Sequence, residues 1–428
     1  MAVLMAVLIF IIAFIIVVTE KSTGIHKSMP MMISGAIIWC IASLAGKEGF
    51  HEHMEHTKGE VFGIVFFLLA AILWVNAMER FGLFIWIGHL ISRISNHSVV
   101  TLWIYSAGAF FLSPLIDNMT TSLIFGSLIA AQTAFLAERG DTAITERFAV
   151  VMAISVGFAA NAGGAWNPFG DPPTLMAWLA HKAEFGDLLG IFVPALVSML
   201  VCTGLLTISI PKIRIEVKHH EGHIPYEGLL LALLFLVLIF VVIASEHFFH
   251  VDPSITMTSG IGILGTIFFV LHKKNGASSE RDFWQLFGRA FHHEGDTLMF
   301  FAGVLVAIGG LAHLGVLNDI SQAIYGYFSA DWANLSLGLV SAVVDNVPMM
   351  AAVIKMDPPL NINGWLLVIY AMGIGGSLLS IGSAAGLALM SRLGNYGYNF
   401  ASHLRLAWAP AIGYFAGALL LMGISGQV

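Results

Sequence analysis

Apolar stretches of about 17 to 25 residues, each the length of a membrane-crossing helix, recur along the chain and are separated by short polar turns. Residues 2–18, 61–77, 188–210, 228–244 and 406–423 are examples, and no large soluble domain fits between them. Two polar phrases interrupt the pattern. Ser113-Pro114-Leu115-Ile116-Asp117-Asn118-Met119-Thr120-Thr121 and Ser341-Ala342-Val343-Val344-Asp345-Asn346-Val347-Pro348-Met349 each place an Asp-Asn pair inside apolar sequence. A carboxylate at membrane depth costs kilocalories and is kept where it has a pathway or a partner, so a duplicated one marks candidate chemistry.

Each phrase lies in a stretch too long for one straight crossing, with its breaker and charge at the centre. Residues 99–137 are therefore predicted to form a re-entrant hairpin, flanked by Arg93 and by Glu138-Arg139 on one side, and residues 332–356 a counterpart entering from the other face. Irregular backbone at that depth must be covered by protein or water, so the two tips are expected to meet inside the molecule. A Gly- and Pro-rich interruption follows each hairpin. The first, Asn161-Ala162-Gly163-Gly164 through Asn167-Pro168 to Gly170-Asp171-Pro172-Pro173-Thr174, predicts a broken helix over 147–179. Its mate, Gly373 to Gly386 within a broken helix over 364–391, brings Ser377, Ser380 and Ser383 but no acid. Bare carbonyls, carboxylates, amides and hydroxyls are the donors that hard cations such as sodium take.

The phrases align as an internal repeat. Asp117-Asn118 matches Asp345-Asn346, the run from Gly163 to Thr174 matches that from Gly375 to Gly386, and Ser34-Gly35 resembles Ser259-Gly260. Basic residues assign the sides. Lys212, Arg214 and Lys218 put the polar linker 211–225 in the cytoplasm, with Lys273, Lys274, Arg281 and Arg289 beside it, while the turn at 246–252 has no Lys or Arg and is expected outside. Mapped back, Lys21 and Lys27 fall inside and a loop at 47–60 outside; Arg80 and Arg93 flank an interfacial segment, 81–94. With about five spans each, residues 1–210 and 226–428 are expected to be inverted repeats, a transporter arrangement.

Composition agrees with a membrane protein and adds two exclusions. Of 428 residues 58% are hydrophobic and 11% charged, and mean hydropathy is +0.86. A formal charge of -7 offers no footprint for nucleic acid. Cys40 and Cys202 lie in apolar runs without disulfide or metal spacing. Residues 1–18 lack a basic n-region and a cleavage site, so they are expected to stay as a helix rather than leave as a signal peptide. No His-Glu-x-x-His or Gly-x-Ser-x-Gly phrase suggests an enzyme.

These Asp-Asn hairpins, the Gly-Asp-Pro-Pro-Thr break at 170–174 and the Ser-Ile-Gly-Ser-Ala-Ala-Gly break at 380–386 resemble the NhaD-type sodium/proton antiporters of the ion transporter superfamily. The resemblance covers nearly the whole chain. It implies an all-α polytopic protein of the bacterial inner membrane, embedded in lipid, a homodimer with a scaffold and a mobile transport unit, and with no cofactor. Many relatives carry a further amino-terminal helix, and without one both termini are expected outside. Relatives that carry dicarboxylates have Ser-Asn-Thr at the hairpin tips where Asp117-Asn118-Met119 and Asp345-Asn346-Val347 stand here. Carboxylates there would repel an anion and attract sodium or lithium. The expected site is thus Asp117, Asp171 and Asp345, for which Na+ and H+ compete, with Asn118, Asn346, Thr120, Asn161, Thr174, Ser380 and Ser383 as neutral ligands. A sodium-coupled carboxylate carrier and a passive channel are the rival readings.

Plainer roles stand beside these. Asp117 and Asp345 can cap helices, Gly163-Gly164 and Gly375-Gly376 can serve close packing, and Thr120, Thr121 and Thr174 can satisfy backbone groups. His51, His53 and His56 with Glu52 and Glu55 read as a solvated loop before a metal site, and His219, His220 and His223 as a polar linker before a pH sensor. Glu79, His89 and His313 read as polar tips at span ends.

Overall fold

A computed structural model describes residues 1–92, 97–138, 140–215, 224–273 and 279–424. Expectations resting on Arg93, Arg139, Lys218, His219, His220, His223 and Lys274 lie outside the described residues, as do the side chains of Lys21, His89, Lys273 and Arg281. The described residues form helices and no strand, and eight helices are long and apolar enough to cross a membrane. The protein is an all-α polytopic membrane protein.

The chain divides into two compact units, and each draws on both halves of the sequence: residues 1–83, 225–327 and 351–358 form one, and residues 84–224, 328–350 and 359–428 the other. In the first unit, helices Ser28–Leu44 and Ser279–His313 cross closely at small residues. The Trp39 indole N–H donates to the Val306 carbonyl at 2.9 Å, and Trp74 to Gly260 at 3.1 Å, so buried indoles are satisfied by backbone rather than by water.

Two expectations change here. The loop expected at 47–60 is helical from residue 50, the start of a single helix Phe50–Arg80. Glu and Lys are good helix formers, and the Glu55–Lys58 and His56–Glu60 pairs at helical spacing support the polar first turns. His313 is not a polar tip. It is 6% exposed, stacked on Trp39 with ring centroids 5.9 Å apart and set beside Phe50 and His53, because an imidazole face packs against aromatic rings as well as it meets a headgroup. Glu79, by contrast, is exposed.

The second unit holds both Asp-Asn phrases. Helices Ser98–Ile116 and Asn118–Ala137 are joined by Asp117 alone. Ser98 N–H donates to the Ile213 carbonyl at 2.9 Å, and the Arg147 guanidinium to the Ser209 carbonyl at 2.6 Å. Asp141 caps helix Thr142–Gly164, four residues after the second arm ends. The start of the first arm is thereby held at Ile213, about 28 Å of helix away from the Asp117 turn, and the helix that follows the second arm is held at Ser209. In the second half the arms are Ala330–Ser341 and Asn346–Met356, followed by Ile362–Gly375, a break, and Ala384–Leu393.

One set of close backbone contacts occurs twice in this unit. A Cβ on Gly163 would lie 2.2 Å from the Phe110 carbonyl oxygen, and one on Gly375 would lie 2.2 Å from that of Gly338. Aligned residues make aligned contacts, and no side chain fits between hairpin arm and broken helix in either half. Gly163→Ala and Gly375→Ala should each destabilise the protein by about 2 kcal/mol or more, since the clash is with backbone. Gly262→Ala, with open space around it, should be neutral. Thermal unfolding in detergent checks the contrast.

A buried histidine anchors the second break. His403, on the short helix Phe400–Leu404 outside the spans, is 3% exposed, and burial lowers its pKa from the usual 6.5 to about 4. Between those values the unfolded chain binds a proton that the folded protein refuses, so stability rises with pH there. The contribution is complete above pH 6.5 and is lost as pH falls through 4, about 3 kcal/mol in all. Native protein should therefore lose thermal stability more steeply between pH 6.5 and 4 than His403→Gln, as parallel melting curves would show.

Candidate functional site

The first Asp-Asn pair splits into two roles. Asp117 has φ 73°, a backbone conformation that costs an L-residue about 1–3 kcal/mol, and it reverses the chain within one residue. Its carboxylate offsets that cost by capping the next helix: the Thr120 N–H donates to Oδ1 and the Thr120 hydroxyl to Oδ2, both at 2.7 Å. The capping role is therefore realised, and Thr120 serves Asp117. Asn118 turns inward and is 4% exposed. Its backbone N–H donates to the Gly170 carbonyl at 3.1 Å, and its side-chain amide donates to Asn161 Oδ1 and Asp171 Oδ1, both at 2.9 Å.

Asp171 is 1% exposed and precedes helix Pro172–Leu179 at the N-cap position, yet it makes no capping bond. The sequence supplies part of the reason. Pro172 and Pro173 have no N–H, which leaves the Thr174 N–H as the one first-turn donor, and the carboxylate does not engage it. The carboxylate faces the interior instead: Asn118 meets Oδ1, Asn346 faces the group as well, and Oδ2 has no hydrogen-bond partner. Gly373 leaves space on that side, since a Cβ there would sit 3.1 Å from Oδ2. The charges of Asp345 and Asp117 also reach Asp171, Asp345 the more strongly, and no basic side chain among the described residues pairs with it.

The rest of the shell comes from across the unit. Asn161, fully buried in the last turn of helix Thr142–Gly164, donates to the Ser383 hydroxyl at 2.9 Å, and Ser383 accepts the Gly386 N–H as cap of its own helix. Ser380 is fully buried with its hydroxyl unpartnered. Asp345 is half-buried and accepts the Val347 N–H at 3.2 Å, while Asn346 is buried. Thr174 stands apart, because its hydroxyl donates to the Ala165 carbonyl and closes the break instead of facing the carboxylates. A hydrogen-bond network thus joins Asn118, Asn161, Asp171 and Ser383 directly, with Asn346 facing Asp171 and the charges of Asp345 and Asp117 bearing on it. Chemically it offers one uncompensated carboxylate in a lining of neutral oxygen donors.

The comparisons with known proteins fit this geometry. A family model described as citrate transporter matches residues 2–375. The chain is 34% identical to the "Na(+)/H(+) antiporter NhaD" of Halomonas elongata over 99% of its own length and 88% of that protein. It is 33% identical to the protein of the same name from Vibrio cholerae, over 99% and 92%. The "Sodium/proton antiporter 2" of Arabidopsis thaliana is 27% identical over 90% and 91%. The chain belongs to the NhaD antiporter family.

For an NhaD-family protein the informative residues include some that sequence inspection weighs poorly. His403 donates to the Leu378 carbonyl at 3.1 Å, and nothing in Ser402-His403-Leu404 announces it; the only local signal is the Asn399–Ser402 capping box that starts its helix. The hydroxyls of Ser113, Thr121 and Ser122, on the hairpin arms near the tip, are buried and unpartnered; Ser113 and Thr121 bound the Asp117 phrase and Ser122 directly follows it, which is the signal that flags them. Asn118 is the joint of the network. Asn118→Ala would leave Asp171 Oδ1 and Asn161 Oδ1 without a donor, so it should cost about 2–3 kcal/mol of stability. Asn118→Asp should cost more, since a like charge replaces the donor; denaturation midpoints of the three proteins test the order.

Proposed function

We propose that this protein is a secondary active antiporter that exchanges sodium, and lithium in its place, for protons by competition at Asp171. The observation that carries the reading is the bare Oδ2 of a fully enclosed carboxylate that has no cationic partner among the described residues. A buried unpaired charge is held at a penalty of several kcal/mol, and two ions can relieve it. A proton does so covalently, and Na+ does so by coordination, with Asn118, Asn161, Asn346, Ser380 and Ser383 as neutral ligands and the Asp117 and Asp345 charges adding attraction. One carboxylate cannot hold both at once. The carrier then crosses loaded with one or the other, and the empty charged form stays put, which is what coupling requires.

The recurrence of the Gly163–Phe110 contact at Gly375–Gly338 supports an internal repeat, and we take the halves as inverted. With the basic loops inside, residues 211–225 lie in the cytoplasm and both termini outside, in the inner membrane of a bacterium, with the homodimer as the working assembly. The unit that carries the site would be the moving element. Citrate, named in the family description, is a poor fit for this site, because three carboxylates would face a trianion.

The test is exchange in proteoliposomes. An imposed sodium gradient should drive a change of internal pH, lithium should substitute, and citrate should neither drive nor be taken up. Asp171→Asn should lower sodium-driven exchange about 100-fold or more while leaving the protein folded, since the amide keeps the shape and removes the buried charge. Native protein that moves no protons under a sodium gradient would overturn the assignment, and full exchange in Asp171→Asn would move the site elsewhere.

A further inference from the structure

The two breaks are held by different means. In the first, Pro172 and Pro173 withhold backbone donors and the Thr174 hydroxyl ties the segment back to the Ala165 carbonyl. The second has neither device. Ser383 is followed by Ala384 and Ala385, and the residue that aligns with Thr174 is Gly386. Every backbone donor is present there, and yet residues 379–383 stay out of the helix between the turn Gly376–Leu378 and helix Ala384–Leu393.

The tie comes from elsewhere in the chain. The Leu378 carbonyl lies 3.1 Å from His403 Nε2, and the other ring nitrogen, Nδ1, lies 2.9 Å from the Tyr398 hydroxyl. A carbonyl can only accept, so Nε2 carries the ring proton and Nδ1 is bare. Tyr398 must then donate to it. The tyrosine thus selects the tautomer that the carbonyl needs. Both rings are closed off from solvent, at 3% exposure for His403 and 1% for Tyr398, so neither bond competes with water. At the position aligned with Leu378 the first half has Trp166, whose ring packs edge-on against Phe192, and the carbonyl tie there falls one residue earlier, at Ala165.

Two residues beyond Leu378 stands Ser380, fully buried with an unpartnered hydroxyl. Its peptide is crowded against Gly386, where a Cβ would lie 2.3 Å from the Ser380 carbonyl oxygen. Ser380 thus lies between two fixed points, the Leu378 carbonyl held by His403 and the close contact with Gly386.

We propose that His403 is a positioning residue for ion binding: through the Leu378 carbonyl it keeps residues 379–383 unwound and Ser380 turned into the site. The inference rests on the ion-site reading above and deepens it. The imidazole does not touch the ion; it fixes the segment that does.

The experiment compares native protein with His403→Leu, His403→Gln and Tyr398→Phe in the full chain, by the sodium dependence of exchange in proteoliposomes and by amide hydrogen exchange of residues 379–386. The glutamine amide can reach Leu378 as Nε2 does, and leucine cannot. His403→Leu should raise the apparent KM for sodium about tenfold or more, change the maximal rate less than about threefold, and speed amide exchange at 379–386 about tenfold. His403→Gln should bring both readouts back to within about threefold of native, and Tyr398→Phe should fall between. A native KM in His403→Leu, or unchanged amide exchange at 379–386, would overturn the proposal. If His403→Leu does not fold, His403→Gln decides, and a tenfold rise in its KM would overturn it as well. Native protein without sodium-driven exchange would defeat the antiporter reading alone, and the amide-exchange comparison would still judge the tether.

Discussion

A buried carboxylate that does not cap its own helix organises this molecule. Asp171 occupies the position where an acidic side chain ordinarily settles on backbone N–H groups, and two consecutive prolines leave the Thr174 N–H as the one such donor, which it does not engage. What remains is a buried charge with one oxygen held by Asn118 and the other bare. Asp117 shows the contrast within the same unit. It is also an aspartate ahead of a helix, but Met119 and Thr120 keep their donors, Thr120 engages both of its oxygens, and its charge acts on the site from a fixed place. Identical side chains thus have different duties, one closed on its own helix and the other turned inward.

The cost of leaving Asp171 bare is met by the packing around it. Asn118 reaches it only because the Asn118 N–H is fixed to the Gly170 carbonyl, and Gly170 can lie there only because the hairpin arm and the broken helix meet without side chains between them. A Cβ on Gly170 would fall 2.9 Å from the Cα of Pro114 and 3.0 Å from the Ser113 carbonyl oxygen. Backbone in contact with backbone is rigid, which keeps the carboxylate from relaxing toward some other donor. Rigidity here serves selectivity: neutral oxygens held at fixed spacing favour a bare cation over a hydrated one, since the protein must replace the water it strips.

Much of this was open to inspection in the sequence, for a physical reason. Charges and prolines in apolar runs are improbable unless something accounts for them, so Asp117, Asp171, Asp345 and Pro172-Pro173 draw notice without a structure. The helical, membrane-spanning character follows from run length alone. Other features were closed. That Thr120 and Thr174 spend their hydroxyls on Asp117 and on the Ala165 carbonyl depends on rotamers and on how a break folds back, which spacing does not encode. The first turns of Phe50–Arg80 read as loop because His and Glu outnumber apolar residues there, although pairs at helical spacing hold them. His313 and His403 look alike as isolated histidines near polar residues, and only the fold shows one stacked on Trp39 and the other bonded at both nitrogens.

The asymmetry between the halves then has a physical reading. Asp117 and Asp345 already bring their charges to bear on Asp171, and a further carboxylate in the second break would add repulsion that a single Na+ or H+ could not relieve. Ser380 and Ser383 supply oxygen without charge at that side. A serine cap can remain on its helix and still lend its oxygen, as Ser383 does to both Gly386 and Asn161, so this break has no need of prolines. A break without prolines is free to rewind, however, and needs an external restraint. The second half meets that need with a buried imidazole where the first uses proline and threonine, so each break carries the restraint that suits its own chemistry, an acid behind prolines in one and serines without charge in the other.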